Sequence, residues 1–290
     1  MRRFLPGVVL SVLLLAGCEE EVSLEEPEPP VDQGAADAKP ASVSVLSGMT
    51  IPAQPWQNDA LGFDLDHDSR HSIDNKLGLI IQLATDSVAG FDDPQGHVDR
   101  EIASGNMVTL AILRSQGRGA DEDDVSLELV PGVRDAAGLR VAPDAPQGMR
   151  VYGHIRSGRL VGREPGTASI KLALLDSLPV DVRLIGVAVD AQVDAAGVFE
   201  MKLGGGIETS FADQHLLPSL YLLIRAAAAT DAGLMQLFDT NKDGTMTETE
   251  FIQSNTTRTV ASPDLDLVGQ DQKKDSISAG VRMTFRPAVL

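Results

Sequence analysis

The chain has 290 residues, a net charge of −18, 4% aromatic residues and one cysteine. An acidic balance of this size excludes nucleic acid as a partner and broad docking on an anionic membrane face, since both need clustered Lys and Arg. One cysteine excludes an internal disulfide, and few aromatic rings argue against a sugar-binding face of stacked rings.

At the N-terminus, Arg2 and Arg3 precede an apolar stretch from Phe4 to Leu15, which leads into Leu15-Ala16-Gly17-Cys18. The stretch is shorter than the roughly 20 residues a spanning helix needs. Its charged, apolar, small-residue order is that of an export signal. It resembles a bacterial lipoprotein signal with its lipobox. The resemblance implies that residues 1–17 are a signal peptide and that Cys18 carries lipid on its sulfur and amine, with the membrane as partner through that anchor. Removing Arg2 and Arg3 takes the net charge from −18 to −20. Glu19, where enteric sorting rules read Asp as inner-membrane retention, favours the outer membrane or cell surface. Residues 18–41 are rich in Glu, Pro and Ala and predict a disordered acidic tether.

From Ser42 the composition turns globular, and 42–290 is expected to be one β-rich domain. Apolar–polar alternation predicts strands at Met107–Leu113, Val125–Val130 (ending at Pro131-Gly132), Arg150–Ile155, Ala168–Leu174, Val180–Val189 and Val198–Leu203, with a return strand over Ser276–Phe285. Short strands so spaced suggest an antiparallel β-sandwich-like domain. Helices are expected at Leu77–Ala84 and over Leu216–Phe238, the latter broken or bent at Gly233. Gly204-Gly205-Gly206 does not complete a dinucleotide fingerprint and reads as a turn or bulge.

Residues 239–250, DTNKDGTMTETE, hold the sharpest chemical signal. Asp239, Asn241 and Asp243 alternate as side-chain oxygen donors. Gly244 takes a turn that a Cβ would obstruct, and Met246 is the apolar residue that pins the loop to a core. The run resembles an EF-hand loop, a helical segment near the C-terminus. That resemblance implies calcium held by Asp239, Asn241, Asp243, the Thr245 carbonyl, Thr247 directly or through water, and bidentate Glu250. With no second well-formed loop nearby, it implies a structural site more than a switch.

A second acidic run, Phe63–Gly78, places Asp64, Asp66 and Asp68 at every other residue, with Asp74 beyond. It resembles the calcium loops of dockerin-like and thrombospondin-type repeats. Ser69 stands where those have Gly, and Asn75 stands at the twelfth position in place of a bidentate Glu. The readings are calcium bound by Asp64, Asp66, Asp68 and Asp74, or a solvated acidic turn. His67 and His71 lack the Glu and the helix of a zinc protease motif. Asp264, Asp266, Asp271 and Asp275, with Lys273 and Lys274, form a third patch; the readings are a charged turn before the last strand, preferred, and a degenerate cation loop.

No nucleophile elbow, P-loop or free catalytic cysteine is present. The expected protein is a membrane-anchored extracytoplasmic lipoprotein with structural calcium, acting as a binding or adhesion module for a protein or glycan. A secreted-type hydrolase with a calcium scaffold and a calcium-responsive switch are the alternatives.

Overall fold

The structure, a computed structural model, describes residues 30–54, 56–66, 74–89, 91–116, 121–136, 138–143, 148–175, 178–268 and 273–290. Cys18, the signal peptide and the first part of the expected tether lie outside them. The folded unit runs from Val31 to Leu290. Gln33–Asp37 form helix α1, capped by the Asp32 side chain on Ala35 N at 3.0 Å. Asp37 then meets Arg150 and the Tyr152 hydroxyl, each at 3.2 Å.

Among the described residues, nine strands follow: β1 (Ala41–Thr50), β2 (Thr109–Arg114), β3 (Glu122–Asp135), β4 (Gly138–Val141), β5 (Met149–Arg156), β6 (Arg159–Leu175), β7 (Leu178–Asp194), β8 (Gly197–Glu208) and β9 (Ser276–Ala288). All pair antiparallel, in the order β2-β1-β9-β8-β7-β6-β5-β3-β4. β2 also pairs with β3 over Thr109–Arg114. That ladder closes eight strands into a barrel and leaves β4 outside the ring as a hairpin on β3. The expected sandwich is thus corrected to a closed barrel. Inward–outward alternation is the same in both architectures, and only the β2–β3 ladder distinguishes them.

Period two accounts for the interior. Val125, Leu127 and Leu129 of β3, Met201, Leu203 and Ile207 of β8, and Ile277, Ala279, Val281 and Met283 of β9 all join one buried cluster. β7 places Val182 and Leu184 inward, then Val187, Val189 and Ala191. The parity switches at a bulge between Ile185 and Ala188, where Gly186 has φ 58°. β3 continues through Pro131 instead of ending there. Pro131 lies beyond Leu129, the last β3 residue paired with β5, so its missing N–H breaks no bond on that side.

Helices complete the core: α2 (Gln57–Leu61), α3 (Leu77–Ser87), α4 (Pro94–Ser104), α5 (Thr209–Phe211) with a π turn at Ala212–Leu216, α6 (Leu217–Ala228), α7 (Ala232–Phe238), α8 (Glu248–Gln253) and α9 (Asn255–Val260). α4 packs on both β1 and β6, which stand opposite one another in the ring. α3 and α6 share the barrel's core cluster through Ile80, Ile81, Leu217 and Leu220. The break in the Leu216–Phe238 helix falls before Gly233. Asp231 accepts from Gly233 N and Leu234 N and so starts α7 afresh.

β9 outruns its neighbour. β1 ends at Thr50, opposite Arg282, so the β1-side edge of β9 from Ser276 to Val281 has no partner strand. Two loops satisfy that edge. Asn75 Nδ2 donates to Gly280 O at 3.1 Å, and Gly280 N donates to Asn75 Oδ1 at 3.0 Å. Lys76 N donates to Ser278 O at 3.0 Å. From the other loop, Leu265 N and Ser276 N exchange bonds with Ser276 O and Leu265 O at 3.0 and 3.1 Å. Asp264 Oδ1 accepts from Ser278 N at 2.8 Å. Asn75, the residue in place of the expected bidentate Glu, is buried and acts as a strand surrogate. Asn75→Ala is expected to destabilise the fold by roughly 1–3 kcal/mol for each orphaned Gly280 group. A urea titration checks this, with the midpoint falling and the slope unchanged.

Candidate metal centre

The two loops on the β9 edge also share an apolar footing. Leu65, Ala188 and Leu265 form a buried cluster with Phe63 and Leu267 packed against it. Absent side chains make the room. A Cβ on Gly204 would lie 2.5 Å from Phe63 Cδ2, and one on Gly206 would lie 2.5 Å from Leu267 Cδ1. The glycine trio is therefore neither a turn nor itself a bulge. It lies within β8, where Gly204 and Gly206 form a bare strip that receives the loops. Lys202 secures the first loop by donating to Gly62 O at 2.9 Å and lying 4.3 Å from the Phe63 ring centroid.

On this footing, alternation turns the acids of both loops to the same side. Asp64, Asp66 and Asp74 each place a carboxylate oxygen within 4.8 Å of the others. Asp68, His67 and His71 lie outside the described residues. Asp74 is buried and accepts from Leu65 N at 2.8 Å. Burial pushes its carboxyl pKa up to about 6, and the nearby charges of Asp66 and Asp264 push the same way. The Leu65 amide opposes them. Lys274, from the second loop, meets Asp66 at 2.7 Å. Asp264 therefore belongs to this centre electrostatically, whereas the sequence reads its patch as separate from the first loop. The signal that could have joined them is a shared acid–apolar alternation, Phe63-Asp64-Leu65-Asp66 and Asp264-Leu265-Asp266-Leu267.

The loop at 239–250 is built differently. α7 leads into it and α8 leaves it, with Lys242 at φ 62° and Gly244 at φ 85° making the sharp turn. Asp239 is buried and accepts from Gly244 N at 2.8 Å and Asp243 N at 3.2 Å. Asn241 Oδ1 accepts from Asp243 N, and Asp243 Oδ1 from Thr245 N, both at 2.8 Å. Glu250 folds back on Thr247, accepting from its N at 3.0 Å and its hydroxyl at 2.8 Å, and Thr247 in turn caps α8. The Thr247 amide and hydroxyl hold the Glu250 carboxyl below its ordinary range.

Met246 is buried, its carbonyl accepts from the Tyr221 hydroxyl at 3.2 Å, and the Phe238 and Phe251 rings meet at a tilt with centroids 5.0 Å apart. The loop thus has the turn and the apolar anchor of its resemblance. Its acids are engaged on loop amides, and Asp239, Asp243 and Glu250 do not close to the 4.8 Å spacing of the first centre.

The remaining histidines are dispersed. His97 stands edge-on to Phe91, His154 lies 3.1 Å from Asp123, and His215 lies against Phe211. Among the described residues, no helix is long and apolar enough to cross a membrane. Comparison with protein-family models, curated proteins and solved structures gave no match.

Because the Asp74 pKa stands above its ordinary 3.8, the metal-free folded state holds a proton that the unfolded chain releases. As pH rises from about 4 to 6 the native state is progressively penalised, and above that the penalty is complete. Asp74→Asn is therefore expected to raise the melting temperature at neutral pH in excess chelator. The gain should disappear near pH 4, as thermal melts at the two pH values will show.

Proposed function

We propose that the protein is an extracytoplasmic lipoprotein, anchored through Cys18, whose barrel is braced by structural calcium and serves as a binding or adhesion module. The observation that carries the calcium reading is the convergence of Asp64, Asp66 and Asp74 within 4.8 Å around a buried carboxylate. Three acids so placed repel one another, and a divalent cation or a proton relieves them. An all-oxygen, flexible donor set suits calcium better than magnesium, which demands tighter octahedral geometry. An ion there would tie the strand-like run at Asp64–Asp66 to Asp74 and so close the first loop, a crosslink in a chain with no disulfide to supply one.

Asp239, Asn241, Asp243, Thr245, Thr247 and Glu250 form the second proposed site. Calcium would replace loop amides as the partner of Glu250. The packing of Met246, Phe238 and Phe251 into the main core supports a fixed role more than a switching one. The three concavities around Arg134 contain no histidine and at most one carboxylate apiece, so they lend the hydrolase reading no support.

Calcium is expected to raise the melting temperature well above that in chelator. An ion at a hundred times its dissociation constant adds about 2.7 kcal/mol per site. Asp66→Asn should remove one share of the rise and Glu250→Gln the other. An identical melt with and without calcium would remove the reading.

A further inference from the structure

Away from the acidic loops, the outer wall of the barrel carries an apolar row with an arginine at each side. Register sets Arg286 of β9 opposite Val45 of β1, Val45 opposite Leu110 of β2, and Leu110 opposite Val130 of β3. Val45, Leu110 and Val130 belong, with Val108, to a cluster separate from the barrel core. Period two carries the same face of β3 from Val130 to Gly132 and Arg134. Arg134 stands opposite Leu139 of β4. Gly132 leaves room for this wall, since a Cβ there would lie 2.7 Å from Val108 Cγ1.

Residues of the β3–β4 hairpin line three concavities of about 620, 360 and 460 Å³. Arg134 lines all three, and Arg286 and Val45 line two.

Neither guanidinium has a hydrogen-bond or ion-pair partner among the described residues. By contrast, Arg140, Arg150, Arg159 and Arg258 each meet a carboxylate. Asp135, beside Arg134 in sequence, pairs with Arg140 at 2.7 Å. In a chain of net charge −18, two unanswered cations in a concavity also lined by Leu139, Ala288 and Val289 invert the local charge. A guanidinium fork matches a planar carboxylate in two-point contact. Half-buried Leu139 and Ala288 border the row and gain by losing water to an apolar chain. Concavities of this volume fit one acyl chain better than the paired chains of a phospholipid.

We propose that this groove binds a single-chain anionic amphiphile, a fatty-acid carboxylate. Its head sits between Arg134 and Arg286, and its chain lies over Leu139, Ala288 and Val289, which line the same concavity as both arginines. The site stands apart from the cation loops and does not depend on calcium.

Calorimetric titration of the full chain with decanoate, in buffer without added calcium, tests this. Saturable one-to-one binding is expected. Arg134→Gln and Arg286→Gln, both exposed positions whose variants should keep the wild-type melt, should each weaken it about tenfold. Decanol should bind at least about tenfold more weakly than decanoate, and acetate should show no saturation. Asp66→Asn should leave decanoate affinity unchanged. Several outcomes would overturn the proposal: no saturation with decanoate, decanol binding as tightly, wild-type affinity in both arginine variants, or acetate matching decanoate. Capture by two-chain anionic vesicles that decanoate fails to compete away would overturn it as well.

Discussion

A strand longer than its neighbour dictates much of this molecule. β9 continues past the end of β1, and the exposed N–H and C=O groups of Ser276, Ser278 and Gly280 must be satisfied or left as an open edge. Two loops about 200 residues apart in sequence do this, one through Asn75 and Lys76, the other through Asp264 and Leu265. Gly204 and Gly206 leave the adjacent wall bare, so that Phe63 and Leu267 can lie flat on it. Edge repair and apolar footing together fix where both loops run.

Electrostatics follows from that placement. Once Leu65 and Leu265 are buried side by side, the acids alternating with them share one small region. Asp74 shows the consequence in its raised proton affinity. Lys274 offsets part of the charge through Asp66, and the proposed cation would offset the rest. The loop at 239–250 meets its own charge by another route, spending its carboxylates on backbone amides. The first centre is strained by repulsion without an ion, whereas the second is a closed turn that an ion must reopen. Across the molecule, around Arg134, the charge imbalance has the opposite sign.

Much of the strand content was legible because period two survives in any half-buried sheet. The alternation at Met107–Leu113 and Ser276–Phe285 falls on β2 and β9. Closure was not legible, since the β2–β3 ladder joins segments whose patterns suit a sandwich equally well. The helix break went to Gly233 because glycine is the stronger punctuation, yet the Asp231 cap decides it. α4 was missed although Asp93-Pro94 and Gly105 are start and stop signals. At the candidate centre, Asp64, Asp66 and Asp74 were read from spacing. Asp264 was not, because nothing local shows that its loop repairs the same strand edge. Asn75 was judged as a failed ligand, and its service to Gly280 depends on a partner far along the chain.

The central claim is that the loop strapped to the β9 edge by Asn75 and Lys76 creates a divalent-cation seat, separate from the one at 239–250. The most direct test is the number of calcium ions retained per chain after equilibrium dialysis, measured by elemental analysis for the wild type, Asp66→Asn and Glu250→Gln. The account predicts two ions for the wild type and one for each variant. A wild-type chain that retains none, or an Asp66→Asn chain that retains as many as the wild type, would contradict it.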